Sequence, residues 1–202
     1  MPRVYRLGER AAQMQATRER IVEAAIALYT EKGIGATTLR EIGLRADVAP
    51  GTLRNHFSSR EALERAVVDR LTDKAPLPDR SIFDGAPSIG ERLRRLIQAT
   101  GRFLDQAQPI YRMWLREPMV SGPWAEKGAE YGARWHELMR IALGPVAADE
   151  ESMAILRGVM HPTFFDSVRG GTRTTDEASE LITAALVPWF AARERATAQV
   201  DR

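Results

Sequence analysis

Residues 38–57, with the sequence TLREIGLRADVAPGTLRNHF, constrain the fold of this chain more than any other stretch. Thr38 and Glu41 stand three residues apart, which is the spacing of a capping box and predicts that a helix begins there. Asp47 lies where the chain must turn, and Asp tolerates the left-handed backbone conformation better than most residues do. Pro50 suits the first position of a new helix. The stretch therefore predicts two short helices joined by a tight turn.

The second of these helices has one apolar side and one polar, basic side. Leu53 and Phe57 form an i, i+4 pair that we expect to be buried. Gly51 lets the backbone come close to a partner. This pattern is typical of a helix that enters the major groove of DNA, although the spacing alone also fits a surface helical hairpin. The residues left on the exposed side are Thr52, Arg54, Asn55 and His56.

Amphipathic helices are predicted on both sides of this stretch. Downstream, Ser58 and Glu61 form a second capping box, which opens a helix through Leu71. Upstream, a helix closed by Gly33 has apolar residues at helical spacing, namely Ile21, Ala24, Ala25, Leu28 and Tyr29.

Residues 21–71 together resemble the N-terminal domain of the TetR (tetracycline-repressor-like) family of transcription regulators. The resemblance rests on the AA..LY...G...TT...I stretch, the turn, the GTL..HF helix and the SSREAL start of the next helix. It covers about fifty residues. It implies that Pro50, Gly51, Thr52, Arg54 and Asn55 lie against base pairs, and that Thr38, His56 and Arg60 contact phosphates.

Three residues depart from the pattern of that family. Asp47 stands where Gly is usual, so a residue with a side chain must adopt the left-handed turn. Ala49 stands where Ser is common, which removes a side-chain N-cap worth about 1 kcal/mol. Arg54 replaces the usual Tyr and adds the possibility of bidentate contact with a guanine. The operator sequence cannot therefore be carried over from the family.

We predict an all-α fold. A basic N-terminal arm at 1–16 precedes a three-helix helix-turn-helix DNA-binding domain at 17–74, and a larger helical domain occupies 75–202. The boundary rests on KAPLPDRSIFDGAP, a segment with three prolines and one glycine. In the larger domain we expect the last two helices at 149–170, kinked by Pro162, and 174–195, kinked or ended by Pro188.

The resemblance implies that the larger domain dimerises through its last two helices and binds a small-molecule effector. An alternative for both sets of residues is that they fill the core of one subunit. The apolar residues predicted for a homodimer interface are Met153, Leu156, Met160, Phe164, Leu181, Ala184, Ala185 and Trp189. The residues predicted to line an effector site are Phe103, Tyr111, Trp114, Trp124, Tyr131, Trp135, Met139 and Phe164.

Composition excludes several other classes of protein. Cysteine is absent, which rules out disulfides and thiolate metal sites. No apolar run reaches the roughly 18 residues of a membrane span, and the polar N-terminus lacks the apolar region of a signal peptide, so we expect a cytoplasmic protein. The three histidines do not form a metal-binding pair at i, i+4, and no phosphate-binding or nucleophile motif occurs. We therefore predict no metal, no cofactor and no catalytic residues.

The distribution of charge agrees with a protein that meets DNA at one end. Residues 1–60 carry a net charge of +4, whereas the rest of the chain carries −2. We predict a dimeric repressor that binds a near-palindromic DNA operator and is released by an apolar or aromatic effector. The alternatives are a helical small-molecule-binding protein and a protein–protein adaptor, neither with specific DNA binding. The sequence names neither the operator, nor the regulated genes, nor the effector, nor the sign of regulation.

Overall fold

The structure is a computed structural model that describes residues 3–117 and 122–200. Side chains are described for these residues except 3–7, 109, 114–116 and 200. The described chain contains no strand, which confirms the all-α prediction. Its helices are α1 (Arg3–Lys32), α2 (Leu39–Arg45), α3 (Pro50–His56), α4 (Arg60–Lys74), α5 (Ile89–Gln106), α6 (Gln108–Arg116), α7 (Gly122–Leu143), α8 (Glu150–Val159), α9 (Pro162–Arg169) and α10 (Thr175–Val200), with 3₁₀ helices at Arg80–Phe83 and Gly144–Ala148.

Two compact units make up the chain. The first contains residues 1–74 and 109–127, and the second contains 75–108 and 128–202. The segment 109–127 was predicted to belong with 75–202, and that prediction is wrong. Its side chains Ile110, Met113 and Trp124 are buried in the same apolar core as those of α1 to α4, so burial draws the segment into the first unit.

The core of the first unit is built around α1. Ile21, Ala25 and Tyr29 on α1 are fully buried, and Ile42 of α2 and Leu63 of α4 pack in the same cluster. The short helices α2 and α3 have seven residues each, too few to be stable alone in water, so they depend on this core.

The first helix starts earlier than the sequence predicts. We expect a basic arm before a helix that begins near Thr17, whereas α1 begins at Arg3. Side chains 8–16 are all exposed, and apart from Gly8 they belong to types that favour helices, such as Ala, Glu, Gln, Met and Arg. Helix propensity extends α1 here without any apolar periodicity, which is the signal on which the prediction depends.

The second unit is built from long amphipathic helices. Leu93 and Leu96 of α5, Leu143 of α7, Leu156 of α8 and Phe190 of α10 are fully buried in one of its two apolar clusters. The other cluster includes Ile97, Phe103, Tyr131, Phe165 and Ile182.

Pro162 departs from expectation, and Pro188 excludes one of the two outcomes expected of it. Pro162 does not kink one helix at 149–170, because α8 ends at Val159 and Pro162 occupies the first turn of a separate helix, α9. Proline is favoured there because the first turn needs no N–H donor. Pro188 does not end the last helix near Val187, since α10 continues to Val200. The exposed ring of Pro188 lies on the outer side of α10.

Candidate nucleic-acid interface

The N-terminus of α2 carries the capping box that the sequence predicts. The Thr38 side chain accepts a hydrogen bond from the backbone N–H of Glu41 at 3.3 Å, and the Glu41 carboxylate accepts the Thr38 N–H at 2.9 Å. Lys32 also donates to Glu41. Hydrogen bonds from Lys32 and then Thr38 lower the pKa of Glu41 from 4.5 to about 2. Thr38 is exposed, so its hydroxyl lies at the surface at the start of a well-capped helix.

The turn between α2 and α3 adopts the conformation expected from Asp47. Asp47 has φ 52°, the left-handed region, and it is the only residue other than glycine with positive φ in the described chain. Val48 donates its N–H to the Gly43 carbonyl at 3.0 Å, which closes the turn. A Cβ atom on Gly43 would lie 3.4 Å from the Val48 carbonyl oxygen, so the turn packs closely on α2.

The helix α3 presents its polar side to solvent. Leu53 and Phe57 are each 3% exposed, and Arg54 and Asn55 are exposed. Ala49 precedes the helix without a side-chain cap, as predicted. Pro50 and Gly51 are also exposed, whereas Thr52 and His56 are half-buried. The helix is therefore anchored by two apolar side chains and leaves a polar surface open.

Gly51 and Arg54 on the exposed side of α3 are both accessible to a partner molecule. A Cβ atom added at Gly51 would meet nothing within 4 Å, so nothing in the fold itself requires a glycine there. No hydrogen-bond or ion-pair partner for the Arg54 guanidinium is found among the residues that the structure describes. Its five N–H groups are available for a partner molecule.

An arginine of α1 holds the C-terminus of α3. Arg18 donates to the carbonyl oxygen of His56 at 3.2 Å, and its guanidinium lies 4.3 Å from the centre of the Phe57 ring. A cation favours the C-terminal end of a helix because free carbonyls concentrate negative charge there. The sequence gives no indication of this contact, because no local pattern connects positions 38 residues apart.

Arg60 is occupied by contacts within the protein. Its Nε donates to Glu64 at 2.7 Å, Nη1 to the Thr37 carbonyl at 2.8 Å, and Nη2 to the Ile34 carbonyl at 2.5 Å. The guanidinium therefore holds the loop between α1 and α2. A phosphate contact by Arg60, as the resemblance implies, would use its remaining hydrogens and stays a prediction.

The same loop receives a carboxylate that follows α6. Glu117 accepts the backbone N–H of Gly35 at 3.0 Å with Oε2 and at 3.2 Å with Oε1. The two residues are 82 positions apart, so the sequence gives no local indication of this contact. Both residues belong to the first unit.

The residues predicted to line an effector site are divided between the two units. Tyr111 and Trp124 are buried in the first unit, where the Trp124 ring centre is 6.5 Å from that of Tyr29. The Trp114 side chain lies outside the described residues. In the second unit, Met139 is buried in the apolar core and Phe164 is exposed.

Three of the predicted effector residues do form a cluster. The ring centre of Phe103 lies 6.1 Å from that of Tyr131 and 5.4 Å from that of Trp135, both in edge-to-face arrangements. The Tyr131 hydroxyl donates to the Ala75 carbonyl at 3.3 Å. Trp135 is half-buried, so this cluster reaches the surface on α7. Aromatic residues at helical spacing supply core as readily as pocket, which is why the set divides.

The apolar residues predicted for a dimer interface also divide. Met153 and Leu156 fill the core of the second unit, so their assignment to an interface is wrong. Met160 and Trp189 are partly buried against the same core. The members that remain exposed on α9 and α10 are Phe164, Leu181, Ala184 and Ala185.

No group of three or more His, Cys, Asp or Glu in the described part of the chain could hold a metal ion. Within residues 3–117 and 122–200, no helix has the length and apolar character needed to cross a membrane.

Comparison with known proteins shows which family the helices of residues 21–67 are similar to. Residues 21–67 match the family model described as bacterial regulatory proteins, tetR family. The chain is 32% identical to the HTH-type transcriptional repressor KstR2 of Mycobacterium tuberculosis (strain ATCC 25618 / H37Rv), over 45% of this chain and 45% of that protein. It is 26% identical to the HTH-type transcriptional regulator UidR of Escherichia coli (strain K12), over 54% of this chain and 57% of that protein.

The chain thus spans about half the length of the curated relatives that it matches. Solved structures extend the similarity of fold to most of the chain. A TetR-like transcriptional regulator from Rhodococcus sp. RHA1 matches with a TM-score of 0.64 at 19% identity, covering 89% of this chain and 96% of that one. HlyIIR, a hemolysin II transcriptional regulator, matches with a TM-score of 0.59 at 16% identity, covering 86% and 98%. The relatives are regulators, which agrees with the prediction that the chain is not an enzyme.

Proposed function

We propose that the chain is a transcription regulator of the TetR family, a repressor that binds a near-palindromic DNA operator as a dimer. The match of residues 21–67 to the model of bacterial regulatory proteins, tetR family, supports this proposal. The observation that carries this proposal is the surface of α3. Two buried apolar residues anchor the helix, while Arg54 and Asn55 are exposed and the Arg54 guanidinium has no partner among the described residues.

The proposed roles at DNA combine what the resemblance implies with side-chain chemistry. Arg54 donates two hydrogen bonds to a guanine edge, and Asn55 suits an adenine edge. Pro50, Gly51 and Thr52 allow the start of α3 to approach the bases closely, and Thr38 and His56 contact phosphates on either side. Arg60 supports the loop before α2 and contributes to the positive potential that attracts the phosphate backbone.

Dimerisation is proposed because one short recognition helix contacts too few base pairs to be selective. The exposed apolar residues of α9 and α10 support an interface there. Leu181 is 49% exposed and Phe164 is 39% exposed, so both large apolar side chains are available to a second subunit. Small residues beside Leu181, namely Ala184 and Ala185, allow a second helix to approach closely. Two half-sites are then expected about one turn of DNA apart or slightly more.

Release by a small molecule completes the proposal. The aromatic cluster of Phe103, Tyr131 and Trp135 supports contact with an apolar or aromatic effector in the second unit. Effector binding would lower operator affinity through a coupling free energy of roughly 1–3 kcal/mol.

Selection of binding sites from a random duplex DNA library tests the proposal. The purified protein is used at about 150 mM salt, where non-specific attraction to phosphate is reduced. The expected result is an enriched palindrome with two half-sites. The Arg54→Ala variant should relax one base position in each half-site, whereas Arg195→Ala, a change at an exposed arginine on α10, should return the original palindrome.

No enrichment by a well-folded protein would reject the regulator proposal. An enriched single half-site without its mirror image would reject the dimer and leave the DNA-binding role of α3 standing.

A further inference from the structure

The loop that connects α1 and α2 is held from two sides by groups of opposite charge. The Glu117 carboxylate accepts the Gly35 N–H with both oxygens, at 3.0 and 3.2 Å. The Arg60 guanidinium donates to the Thr37 and Ile34 carbonyl oxygens at 2.8 and 2.5 Å. A charged partner makes such hydrogen bonds stronger than those between neutral groups. Side chains from distant parts of the chain therefore bind both a backbone N–H group and backbone carbonyl groups of this loop.

Gly33 makes room for the carboxylate. A Cβ atom at residue 33 would overlap Oε1 of Glu117. Gly33 also has φ +96°, a conformation that residues with side chains rarely adopt. The glycine thus serves the turn after α1 and the seating of Glu117 together.

This loop determines how α2 begins. Thr38, the N-cap of α2, follows Thr37 directly, and the Thr37 carbonyl is one of the groups that Arg60 holds. The α2 helix in turn supports the turn at Asp47 and the start of α3, because Val48 bonds to the Gly43 carbonyl. A displacement of the loop would therefore shift the N-terminus of α2 against DNA.

We propose that Glu117 is a positioning residue for DNA recognition, which holds the loop at Gly35 and thereby fixes Thr38 and α2 in the geometry that fits the operator. The inference rests on the proposed function for its DNA part, while the contact itself is independent of it. Glu117 does not touch DNA. It acts by restricting the loop before binding, which reduces the ordering required when DNA is bound.

Glu126 provides a matched control. It lies on the same segment of the first unit, has the same charge, and pairs with Arg65 of α4 at 2.8 Å. Both partners of that pair are exposed, so it contributes little to stability. Glu126→Ala therefore removes one negative charge and one contact without touching the loop.

The first measurement is hydrogen exchange in the free protein. Glu117→Ala should increase the exchange rate of the Gly35 amide several-fold, whereas Glu126→Ala should leave it unchanged. Glu117→Gln keeps one acceptor oxygen and should give an intermediate rate. Unchanged exchange at Gly35 in both Glu117 variants would overturn the inference, whatever the protein binds. If the alanine variant fails to fold, the glutamine variant alone decides between these results.

The second measurement is affinity for the selected operator. Glu117→Ala should weaken binding about tenfold, the size expected for loss of one charge-assisted hydrogen bond. Simple electrostatics predicts the opposite sign, because removing a negative charge reduces repulsion by phosphate. Glu126→Ala should accordingly bind as tightly as the parent protein or slightly more tightly. The dependence of affinity on salt should be the same in all variants, because no phosphate contact is lost.

The combined results separate the inference from the proposed function. Faster exchange at Gly35 with weaker operator binding supports the positioning role. Faster exchange at Gly35 with unchanged operator affinity would show that Glu117 holds the loop without a role in recognition, which overturns the inference. Weaker binding with unchanged exchange would overturn it as well. If the parent protein selects no DNA sequence, the proposed function fails and the DNA part of the inference fails with it, while the exchange data still establish whether Glu117 holds the loop.

Discussion

The two units of this protein stabilise their helices in different ways. In the second unit, α5 has 18 residues and buries an apolar stripe that includes Leu93, Leu96 and Ile97, so the helix is held by its own amphipathic face. In the first unit, α2 and α3 have seven residues each, and α3 buries only Leu53 within its bounds. A capping box fixes the start of α2, and Arg18 from α1 holds the end of α3, which Leu53 and Phe57 anchor to the core.

This difference has a functional consequence. A helix that is held at its ends keeps most of its side chains free for a partner, as Arg54 and Asn55 are on α3. A helix that is held along its length, such as α5, buries many of its side chains in its own core. The first unit should therefore tolerate changes on the face of α3 without loss of stability, while the second should not tolerate changes in its apolar stripes.

The largest effect is expected from Phe190→Ala in the second unit. Phe190 is fully buried on α10, so its truncation should lower the free energy of unfolding by about 3–5 kcal/mol. Urea denaturation measures the change. The control is Ile155→Ala on α8 in the same unit, at a residue that is 38% exposed and should lose much less. Equal losses at the two positions would mean that burial does not distinguish them.

The next effect concerns the outer face of α10. Leu181→Arg should convert a dimer to monomers, because each subunit loses about 1.5–3 kcal/mol of apolar burial and gains a charge that lacks a partner. Sedimentation equilibrium measures the dissociation constant. Leu44→Arg is the control, since Leu44 of α2 is also exposed, at 71%, but lies in the first unit. If the Leu181→Arg variant remains a dimer, or the Leu44→Arg variant becomes a monomer, the interface does not lie on the outer face of α10.

Arg54→Ala tests the prediction that the exposed side chains of α3 do not contribute to the stability of the fold. Affinity for the operator should fall by about 1–3 kcal/mol, with most of the loss at one base pair of each half-site. The midpoint of urea unfolding should not change, because Arg54 has no partner among the described residues. A loss that is equal for all DNA sequences would reassign Arg54 to a phosphate, and a loss of stability would contradict the comparison.

Asp47→Gly tests the strain in the turn between the short helices. The substitution relieves a left-handed conformation that costs roughly 1–2 kcal/mol in most residues and adds the entropy cost of glycine, about 0.5–1 kcal/mol. The free energy of unfolding should rise by about 0.5 kcal/mol. Asp69→Gly places the same change inside α4 and should lower it. A decrease at both positions would show that the Asp47 side chain contributes more than its strain costs.

The smallest effect is the acid sensitivity of the cap on α2. Hydrogen bonds from Lys32 and Thr38 hold the pKa of Glu41 at about 2, below its ordinary value of 4.5. A carboxyl group with a depressed pKa stabilises the folded state fully above 4.5, and this contribution is lost as pH falls toward 2. NMR titration of the Glu41 carboxyl carbon measures the pKa directly. In the Glu41→Gln variant, the part of the pH dependence of unfolding that comes from this carboxyl group should disappear. A titration midpoint of Glu41 near 4.5 in the parent protein would contradict the capping geometry.

The sequence predicts the helix-turn-helix well because its signals are local. The capping box of Thr38 and Glu41, the turn at Asp47 and the buried pair of Leu53 and Phe57 each involve residues within four positions of one another, and all have the expected structure. The contacts that fix the ends of these helices span 23 to 82 residues, from Arg60 to Thr37 and from Glu117 to Gly35. No short pattern encodes such pairs.

The prediction fails where one pattern has two physical explanations. Apolar and aromatic residues at helical spacing fit a core, an interface or a pocket equally well, so the pattern predicts an interface for Met153 and Leu156, although they are core. The segment 109–127 belongs to the other unit than the sequence predicts for a similar reason, since amphipathic periodicity shows that a face is buried but not which core receives it.

The division of the first unit into two stretches of chain also affects the order in which the protein can fold during synthesis. Residues 1–74 leave the ribosome without Ile110, Met113 and Trp124, which complete their apolar core. At about 5–20 residues per second, translation of the intervening chain up to residue 127 takes roughly 3–10 s. During that interval the fully buried ring of Tyr29 lacks its Trp124 neighbour. The recognition helix is thus encoded early, but its supporting core is complete only after the first part of the second unit has been made.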